Sequence, residues 1–341
     1  MITARSIRIF LISFLLVFLM GIISHINIKQ TWVTPLPKTQ DSLLQKLRPR
    51  LEAHQNQFQL KRQLIPSISA GSDYEQASAY AVVDIENGEI IASKNLSGRL
   101  PIASLTKIMT GVVALDLARP EEEFSVSGKA ASQVPTKVML KTGEKFTLEK
   151  LLQFMLISSA NDSAEVIKEG VDAKFGEDIF IKAMNLKAQI LGLENTHFTN
   201  AEGYDSNNHF SSAEDLSILS SYALKEYPLI AEIVSQEFKD LTEGADLRFY
   251  LNNWNGLLGV YPGVIGIKIG NTGKADHTTI VVSERKGKKL LAVLLGAPGV
   301  LERDLWTSEL LDLGFSKLTG LTPMNVTENQ LKQKYASWKY Y

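Results

Sequence analysis

The sequence predicts an α+β fold, in which an antiparallel sheet is flanked by helices with a helical subdomain, preceded by an N-terminal transmembrane helix. Strand-like segments occur at residues 79–93 and again at residues 266–295, whereas residues 145–235 are mostly helical in pattern. Strands at both ends of a domain, with helices between them, indicate a sheet assembled from distant segments. A long apolar run within the first 30 residues indicates the transmembrane helix.

Composition excludes several classes of protein. The 341 residues are 45% hydrophobic, which is enough to build a core. The 36 basic and 37 acidic residues are spread along the chain, so we expect no nucleic-acid partner. There is no cysteine, and the 5 histidines lack paired ligand spacing, which argues against disulfides, a thiol nucleophile and a zinc peptidase. We therefore expect no metal and no other cofactor.

The N-terminal segment predicts the compartment. Arg5 and Arg8 precede an apolar stretch from Ile9 to Ile28, whose length approaches one bilayer crossing. No small-x-small cleavage pattern closes it, which favours an uncleaved signal anchor over a removed signal peptide. A buried core helix is the alternative, and the terminal position disfavours it. Basic residues ahead of a span stay in the cytoplasm, so we expect a single-pass cell-membrane protein with its catalytic domain on the extracytoplasmic side.

Four regions follow from these patterns. Residues 1–30 are interpreted as a cytoplasmic stub and anchor. Residues 31–75 are interpreted as an extracytoplasmic spacer, because they are polar, contain Pro35 and Pro37, and then carry leucines at near-helical spacing. Residues 76–320 form the predicted catalytic domain. Residues 321–341 form a short polar and aromatic tail, too small for another domain.

Within the catalytic domain the elements alternate in type. Ala79–Asp84 and Ile90–Ser93, joined by a turn at residues 86–89, predict a β-hairpin. Apolar residues between Ile102 and Leu117 predict a helix buried on more than one side. The clearest later helices are expected at residues 148–157, 163–169, 179–191, 213–224 and 301–313. The later strands are expected at residues 266–269, 278–283 and 290–295.

One candidate catalytic motif lies at the start of the helix after residue 102. In Ser104-Leu-Thr-Lys107, the three-residue spacing brings the hydroxyl and the ammonium onto one helical face. A lysine can act as the base for a serine when it is neutral, and desolvation or a second nearby cation lowers its pKa. Because Ser-x-x-Lys is frequent by chance, this motif needs further support.

Two later segments supply that support. Ser159-Ala-Asn161-Asp162 follows an apolar helix, where a loop can project a hydroxyl and an amide into a cleft; a helix-capping cluster is the alternative. Lys268-Ile-Gly270 lies on a predicted strand, followed by Asn271 and Thr272. Lys268 is a candidate second cation, and Gly270 lets a ligand approach the backbone closely.

The three segments, in this order, resemble the motifs Ser-x-x-Lys, Ser-x-Asn and Lys-Thr-Gly of the penicillin-binding-protein and serine β-lactamase superfamily. Their surroundings look like the D-alanyl-D-alanine carboxypeptidases, and the likeness covers roughly residues 76–318. The segments that carry it are Ile102-Ala-Ser-Leu-Thr-Lys-Ile-Met-Thr110, Leu156-Ile-Ser-Ser-Ala-Asn-Asp-Ser-Ala164, Thr199-Asn-Ala-Glu-Gly-Tyr204, His209-Phe-Ser-Ser-Ala-Glu-Asp-Leu216 and Tyr261-Pro-Gly-Val-Ile-Gly-Ile-Lys268. The resemblance implies a serine peptidase that acts on peptidoglycan stem peptides through an acyl-enzyme and is inhibited covalently by β-lactams.

The resemblance also implies roles for individual residues. Ser104 is the acylated nucleophile and Lys107 its base. Ser159 relays protons to the leaving amine, and Asn161 orients Lys107 and the substrate amide.

The remaining implied roles concern substrate binding. Lys268 supplies positive potential, and the backbone N–H groups of Ser104 and Asn271 form an oxyanion hole. Arg303 lies where family members place a cation that recognises the terminal carboxylate; a solvated helix residue is the alternative. Gly270 and Thr272 complete the set of predicted binding residues.

The third motif departs from the family at Ile269. A threonine or serine is usual there, and its hydroxyl contacts the substrate carboxylate. Isoleucine keeps the strand preference and has no hydrogen-bonding group. Losing one charge-assisted hydrogen bond costs about 1.5–3 kcal/mol, and Thr272 is a candidate partial substitute. The departure leaves open a weak carboxypeptidase, a peptidoglycan endopeptidase, and a catalytically silent peptidoglycan-binding or scaffolding protein.

Other hydrolase classes fit less well. There is no Gly-x-Ser-x-Gly, as an α/β-hydrolase needs, and no Glu-x-x-Leu-Asn between residues 161 and 268, as a class A β-lactamase needs. The acidic stretches Glu121-Glu-Glu123 and Glu214-Asp215 raise the alternative of a glycosidase, but solvated helix ends explain them. The sequence therefore favours a serine-type D-alanyl-D-alanine carboxypeptidase.

Overall fold

The computed structural model describes residues 38–54, 58–61, 72–243 and 247–338. Contacts divide the chain into two units, Met1–Asp41 and Ser42–Tyr341, and only the last four residues of the first unit are described. None of the helices in these described ranges is long and apolar enough to cross a membrane. The predicted transmembrane segment, residues 9–28, lies outside the described residues.

The predicted antiparallel sheet is confirmed. A five-stranded sheet has the order β2-β1-β9-β8-β7, and the hairpins β3-β4 and β5-β6 form two small sheets. The strands are β1 Ala79–Asp84, β2 Glu89–Lys94, β3 Glu123–Ser125, β4 Lys145–Thr147, β5 Phe238–Glu243, β6 Leu247–Asn252, β7 Val264–Thr272, β8 Asp276–Arg285 and β9 Lys288–Ala297. β1 pairs with β9, more than 200 residues later, with Ala81 opposite Val293. The hairpin β5-β6 was not predicted.

Helices cover both faces of this sheet. Because side chains alternate along a strand, Ala81 and Val83 of β1 pack in one apolar cluster with the helical region, whereas Tyr80 and Val82 pack in a second cluster with the helix Val300–Thr319. The helices are Lys38–Leu51, Lys107–Leu117, Gly128–Ala131, Leu148–Ile157, Asn161–Phe175, Ile179–Ile190, Ala213–Glu226, Pro228–Val234, Val300–Thr319 and Glu328–Ala336, with 3-10 turns at Asp73–Gln76 and Ala103–Thr106.

Part of the segment interpreted as a spacer packs against the main sheet. Within the helix Lys38–Leu51, the side chains of Leu47 and Leu51 are buried in the core on the helical side of the sheet. The buried amine of Lys187 donates a hydrogen bond to the carbonyl of Leu51 at 2.6 Å. The larger contact unit accordingly begins at Ser42.

The C-terminal segment also packs against the main unit. The segment interpreted as a tail contains the helix Glu328–Ala336, which starts with a capping box formed by Thr327 and Gln330. Leu331 is fully buried against the cluster around the helix Val300–Thr319. This segment packs as part of the domain.

Candidate active site

Ser104 lies in the 3-10 turn Ala103–Thr106, directly before the helix Lys107–Leu117, and its side chain is partly exposed. Two glycines allow neighbouring segments to approach this turn. A Cβ atom on Gly270 of β7 would lie 2.9 Å from the backbone nitrogen of Ser104, and one on Gly203 would lie 2.0 Å from the carbonyl oxygen of Ala103. The turn is therefore held between the strand β7 and the loop at Gly203.

A buried histidine stabilises the same turn. The backbone N–H of Thr199 donates to Nδ1 of His209 at 3.1 Å, so the ring proton lies on Nε2, which is 2.7 Å from Oγ1 of Thr106. Thr106 donates in turn to the carbonyl of Ala103 at 2.8 Å. Burial lowers the pKa of His209 to about 4, so the ring is neutral at pH 7 and its role here is structural.

The Lys107 side chain is completely buried and its amine contacts three oxygens. Nζ lies 3.0 Å from Oγ of Ser104, 2.7 Å from Oδ1 of Asn161 and 2.6 Å from the carbonyl oxygen of Glu202. Burial lowers the pKa of Lys107 to about 7, although the carboxyls of Glu202 and Asp162 act in the opposite direction. A neutral amine is therefore available near neutral pH.

These contacts orient the amine of Lys107. A neutral amine has two hydrogens and one lone pair. When the hydrogens are donated to Asn161 and to the carbonyl of Glu202, the lone pair is left facing Oγ of Ser104. This is the arrangement that a lysine base needs in order to accept the serine proton.

The Ser159–Asn161 segment joins the helices Leu148–Ile157 and Asn161–Phe175. Ser159 has a φ of +62°, in the left-handed region, and its side chain is almost fully buried. The amide of Asn161 contacts Lys107 through Oδ1 and donates to the carbonyl of Val134 through Nδ2 at 3.0 Å. No side chain caps this helix at Ala160, so the capping interpretation of the segment is wrong.

Lys268 lies on β7 with its side chain buried, and its Nζ donates to the carbonyl of Ile269 at 3.1 Å. Burial, and then the positive charges of Lys107 and Arg303, hold the pKa of Lys268 well below its usual value. Burial is thus the largest cause of the low pKa of both lysines, and for Lys268 repulsion by the charge of Lys107 adds to it.

Arg303 is buried and not a solvated helix residue. Its Nε and Nη2 atoms donate to the two carboxylate oxygens of Asp304 at 2.7 and 2.8 Å, and Nη2 also donates to the carbonyl of Trp254 at 3.1 Å. Its charge adds to burial and to the charge of Lys107 in lowering the pKa of Lys268. The neighbouring carboxylate offsets that charge.

The hairpin between β7 and β8 carries the other predicted binding residues. Ile269 pairs with Thr279 and Asn271 with His277. The hydroxyl of Thr272 donates to Asp205 at 2.7 Å, so it already has an acceptor in the loop after Gly203. The structure thus offers no replacement for the missing hydroxyl at position 269 through Thr272.

Three residues near Ser104 were missed by sequence reasoning. Glu202 and His209 lie in segments that only the family likeness singled out, and Glu165 lies one turn into the helix that begins at Asn161. Glu202 contacts Lys107 through its backbone carbonyl, and no pattern of side chains in the sequence predicts a backbone contact. No cluster of three or more metal-ligating side chains occurs among residues 38–54, 58–61, 72–243 and 247–338.

Comparisons with known proteins agree with this geometry. Residues 67–299 match the family model described as D-alanyl-D-alanine carboxypeptidase. The chain is 33% identical over 272 residues to D-alanyl-D-alanine carboxypeptidase DacF of Bacillus subtilis, covering 78% of this chain and 69% of that protein. It is 26% identical over 289 residues to D-alanyl-D-alanine carboxypeptidase DacA of Escherichia coli, covering 80% and 68%.

Solved structures give the same picture of the fold. Penicillin-binding protein D2 of Listeria monocytogenes, in its cefotaxime-bound form, is 32% identical, with a TM-score of 0.62 over 70% of this chain and 97% of that one. The D-alanyl-D-alanine carboxypeptidase DacD of Francisella tularensis, at 24% identity, has a TM-score of 0.67 over 76% and 74% of the two chains. The second likeness concerns the fold alone.

Proposed function

Because this chain belongs to the D-alanyl-D-alanine carboxypeptidase family, we propose that it is a serine-type carboxypeptidase that removes the terminal D-alanine from peptidoglycan stem peptides. The neutral amine of Lys107 takes the proton of Ser104, and the serine oxygen attacks the penultimate D-alanine carbonyl. The peptide bond breaks, and the terminal D-alanine leaves as an amine that receives its proton through Ser159. Water then hydrolyses the acyl-enzyme.

The remaining residues have supporting roles in this proposal. Lys268 supplies positive potential, and Asn161 holds Lys107 and the substrate amide. The backbone N–H groups of Ser104 and Asn271 bind the charge that develops on the attacked carbonyl oxygen.

The single observation that carries the proposal is the orientation of the Lys107 amine toward Ser104. A fluorescent penicillin tests it, since an acylating serine keeps the opened β-lactam as a covalent label. The full chain should be labelled, Ser104→Ala should not, and Ser132→Ala, at an exposed serine, should be labelled like the natural protein. Equal labelling of Ser104→Ala and the natural protein would contradict the proposal.

Two solved structures similar to this chain support the choice of probe. The Listeria penicillin-binding protein D2 is described in cefotaxime-bound and ampicillin-bound forms. We extend β-lactam binding to this chain on the basis of the 32% identity and the similar fold. Mass spectrometry of a stem pentapeptide incubated with the full chain then tests the reaction itself, by release of one D-alanine.

A second candidate activity is a peptidoglycan endopeptidase. It is favoured by the place where a terminal carboxylate would bind: Ile269 has no hydroxyl, Thr272 donates to Asp205, and Asp304 offsets the charge of Arg303. A site with weak carboxylate recognition suits a substrate in which no free terminal carboxylate follows the bond that is cleaved. Incubation with a cross-linked stem-peptide dimer and, separately, with a pentapeptide distinguishes the two activities by which product forms faster.

We also propose that the chain is a single-pass membrane protein with its catalytic domain outside the cytoplasm. The support is the apolar segment from Ile9 to Ile28, preceded by Arg5 and Arg8. The full chain should stay in membranes washed with alkaline carbonate, whereas a variant lacking residues 9–28 should be extracted. Extraction of both proteins would contradict the anchor.

A further inference from the structure

Two buried glutamates, one of which contacts Lys107, are not part of the catalytic motifs. Glu202 is 3% exposed and Glu165 is 4% exposed. The backbone carbonyl of Glu202 accepts a hydrogen bond from Lys107 at 2.6 Å, and the Glu202 carboxyl shares a hydrogen bond with that of Glu165. The backbone of one residue therefore holds the base, while its side chain is tied to a second acid.

A hydrogen bond between two carboxyl groups requires a proton on one of them. Glu165 forms an ion pair with Lys129, and the positive charge of Lys168 also lowers its pKa. Glu165 is therefore the carboxyl of the two that stays ionised. Burial, together with the hydrogen bond to Glu165 and its negative charge, raises the pKa of Glu202 to about 8. The shared proton therefore resides on Glu202 at neutral pH.

We propose that Glu202 is a positioning residue for the base Lys107, and that Glu165 keeps the Glu202 carboxyl in its protonated, uncharged form. This inference rests on the proposed acylation of Ser104. A protonated Glu202 donates to Glu165 and fixes the loop whose carbonyl orients the Lys107 amine. An ionised Glu202 places a negative charge beside Lys107, and that charge favours the ammonium, which cannot act as a base.

The charged groups around this pair come from several elements. The helix Asn161–Phe175 contributes Asp162, Glu165 and Lys168, and the short helix Gly128–Ala131 contributes Lys129. The helix Lys107–Leu117 contributes Lys107, and strand β7 contributes Lys268, whose pKa is lowered by burial and by the charge of Lys107.

The neighbouring groups differ in how they act. Tyr204, in the loop with Glu202, has a raised pKa through burial and the nearby acids, so it stays neutral. Of the acids, Asp162 acts on Lys107 by charge, Glu202 does so only when it is ionised, and Glu165 acts on Glu202.

Two isosteric substitutions separate this role from a merely structural one, because only one of them changes the charge beside Lys107. Glu202→Gln keeps an uncharged hydrogen-bond donor facing Glu165, as the protonated acid does, so the pKa of the lysine should change little. Glu165→Gln removes the charge that keeps Glu202 protonated, so Glu202 ionises more readily and the pKa of Lys107 rises. The expected rise is about one pH unit, the lower end of what one neighbouring charge produces.

The measurement is the rate of acylation of the full chain by a fluorescent penicillin, followed from pH 5 to 9. The acid limb of the profile should stay in place in Glu202→Gln and move to higher pH in Glu165→Gln. The double variant should behave like Glu202→Gln, since Glu165 acts only through Glu202. Glu169→Gln, one helical turn beyond Glu165, is the matched control and should leave the profile unchanged.

The outcomes are distinct. A Glu165→Gln profile that coincides with that of the natural protein, or a shift that persists in the double variant, would overturn the role of the pair. If the natural protein is not acylated at any pH, the proposed function fails first, and that result is separate from a failure of this inference. Circular dichroism of each variant confirms that the fold is retained before rates are compared.

Discussion

The guanidinium of Arg303 forms two parallel hydrogen bonds, at 2.7 and 2.8 Å, with the carboxylate of Asp304, the next residue in the chain. Both side chains are buried, and the hydroxyl of Tyr335 also donates to Asp304 at 2.8 Å. Two adjacent residues of one helix thus form a charge pair at the edge of the proposed carboxylate site. Through Tyr335, this pair is connected to the helix Glu328–Ala336.

We expect Asp304→Asn to destabilise the protein by about 3–5 kcal/mol, because removing one partner leaves the buried charge of Arg303 uncompensated. The measurement is urea unfolding followed by circular dichroism. Glu302→Gln, two residues earlier on the same helix, is the control and should change the unfolding free energy little. A change for Asp304→Asn as small as that of the control would show that the pair contributes no net stability.

Ile269→Thr tests whether the missing hydroxyl limits carboxypeptidase activity. Restoring one charge-assisted hydrogen bond to the substrate carboxylate is expected to contribute about 1.5–3 kcal/mol, or about one to two orders of magnitude in the rate of D-alanine release. Ile269→Val keeps the β-branched shape without a hydroxyl and should show no gain.

The result also separates the candidate functions. A gain with the pentapeptide alone indicates a carboxypeptidase weakened at this position. No D-alanine release in either form, together with a natural protein that binds peptidoglycan but is not labelled by penicillin, favours the silent binding protein. Faster cleavage of the cross-linked dimer by the natural protein than by Ile269→Thr favours the endopeptidase.

The rate of acylation should depend on the protonation state of Lys107. Burial lowers the pKa of this lysine to about 7, so the amine is neutral above that pH and protonated below it. Acylation should therefore be slow at pH 5 and rise as the pH passes through about 7. Lys107→Arg stays protonated at all of these pH values and should lower the rate by about two to four orders of magnitude. An unchanged rate in Lys107→Arg would exclude this lysine as the base.

The sequence predicts the part of the site that depends on local geometry. Ser104 and Lys107 are three residues apart at a helix start, and the structure places their side-chain atoms in contact. Asn161 and Lys268 reach the same pocket through tertiary packing, which spacing along the chain does not reveal, and only the family likeness brought them together in advance. The carbonyl of Glu202 was missed because every residue has a backbone acceptor.

Packing between distant segments was harder to predict than local geometry. Leu47 and Leu51 lie one helical turn apart, a pattern typical of a packed helix as much as of a spacer. The amine that binds the carbonyl of Leu51 belongs to Lys187, more than 100 residues later. The hairpin of β5 and β6 was also missed, since Phe238–Glu243 contains charged residues and has only a short apolar alternation.

The close approach of β7 to Ser104 leads to the last prediction, Gly270→Ala. The added methyl group would lie 2.9 Å from the backbone nitrogen of Ser104 and 2.7 Å from Oγ1 of Thr278, so the strand or the turn must move. We expect at least a tenfold loss in the rate of penicillin acylation with the fold retained. A displacement of a few tenths of an ångström misaligns Ser104 with the oxyanion-binding N–H groups, and an increase of about 1.4 kcal/mol in the activation free energy slows the reaction tenfold. Gly273→Ala, three residues further along the same hairpin, is the matched control, since a methyl group there meets only the Asp205 carboxylate at 4.0 Å. Equal acylation rates in the two variants would show that β7 does not need to approach Ser104 this closely.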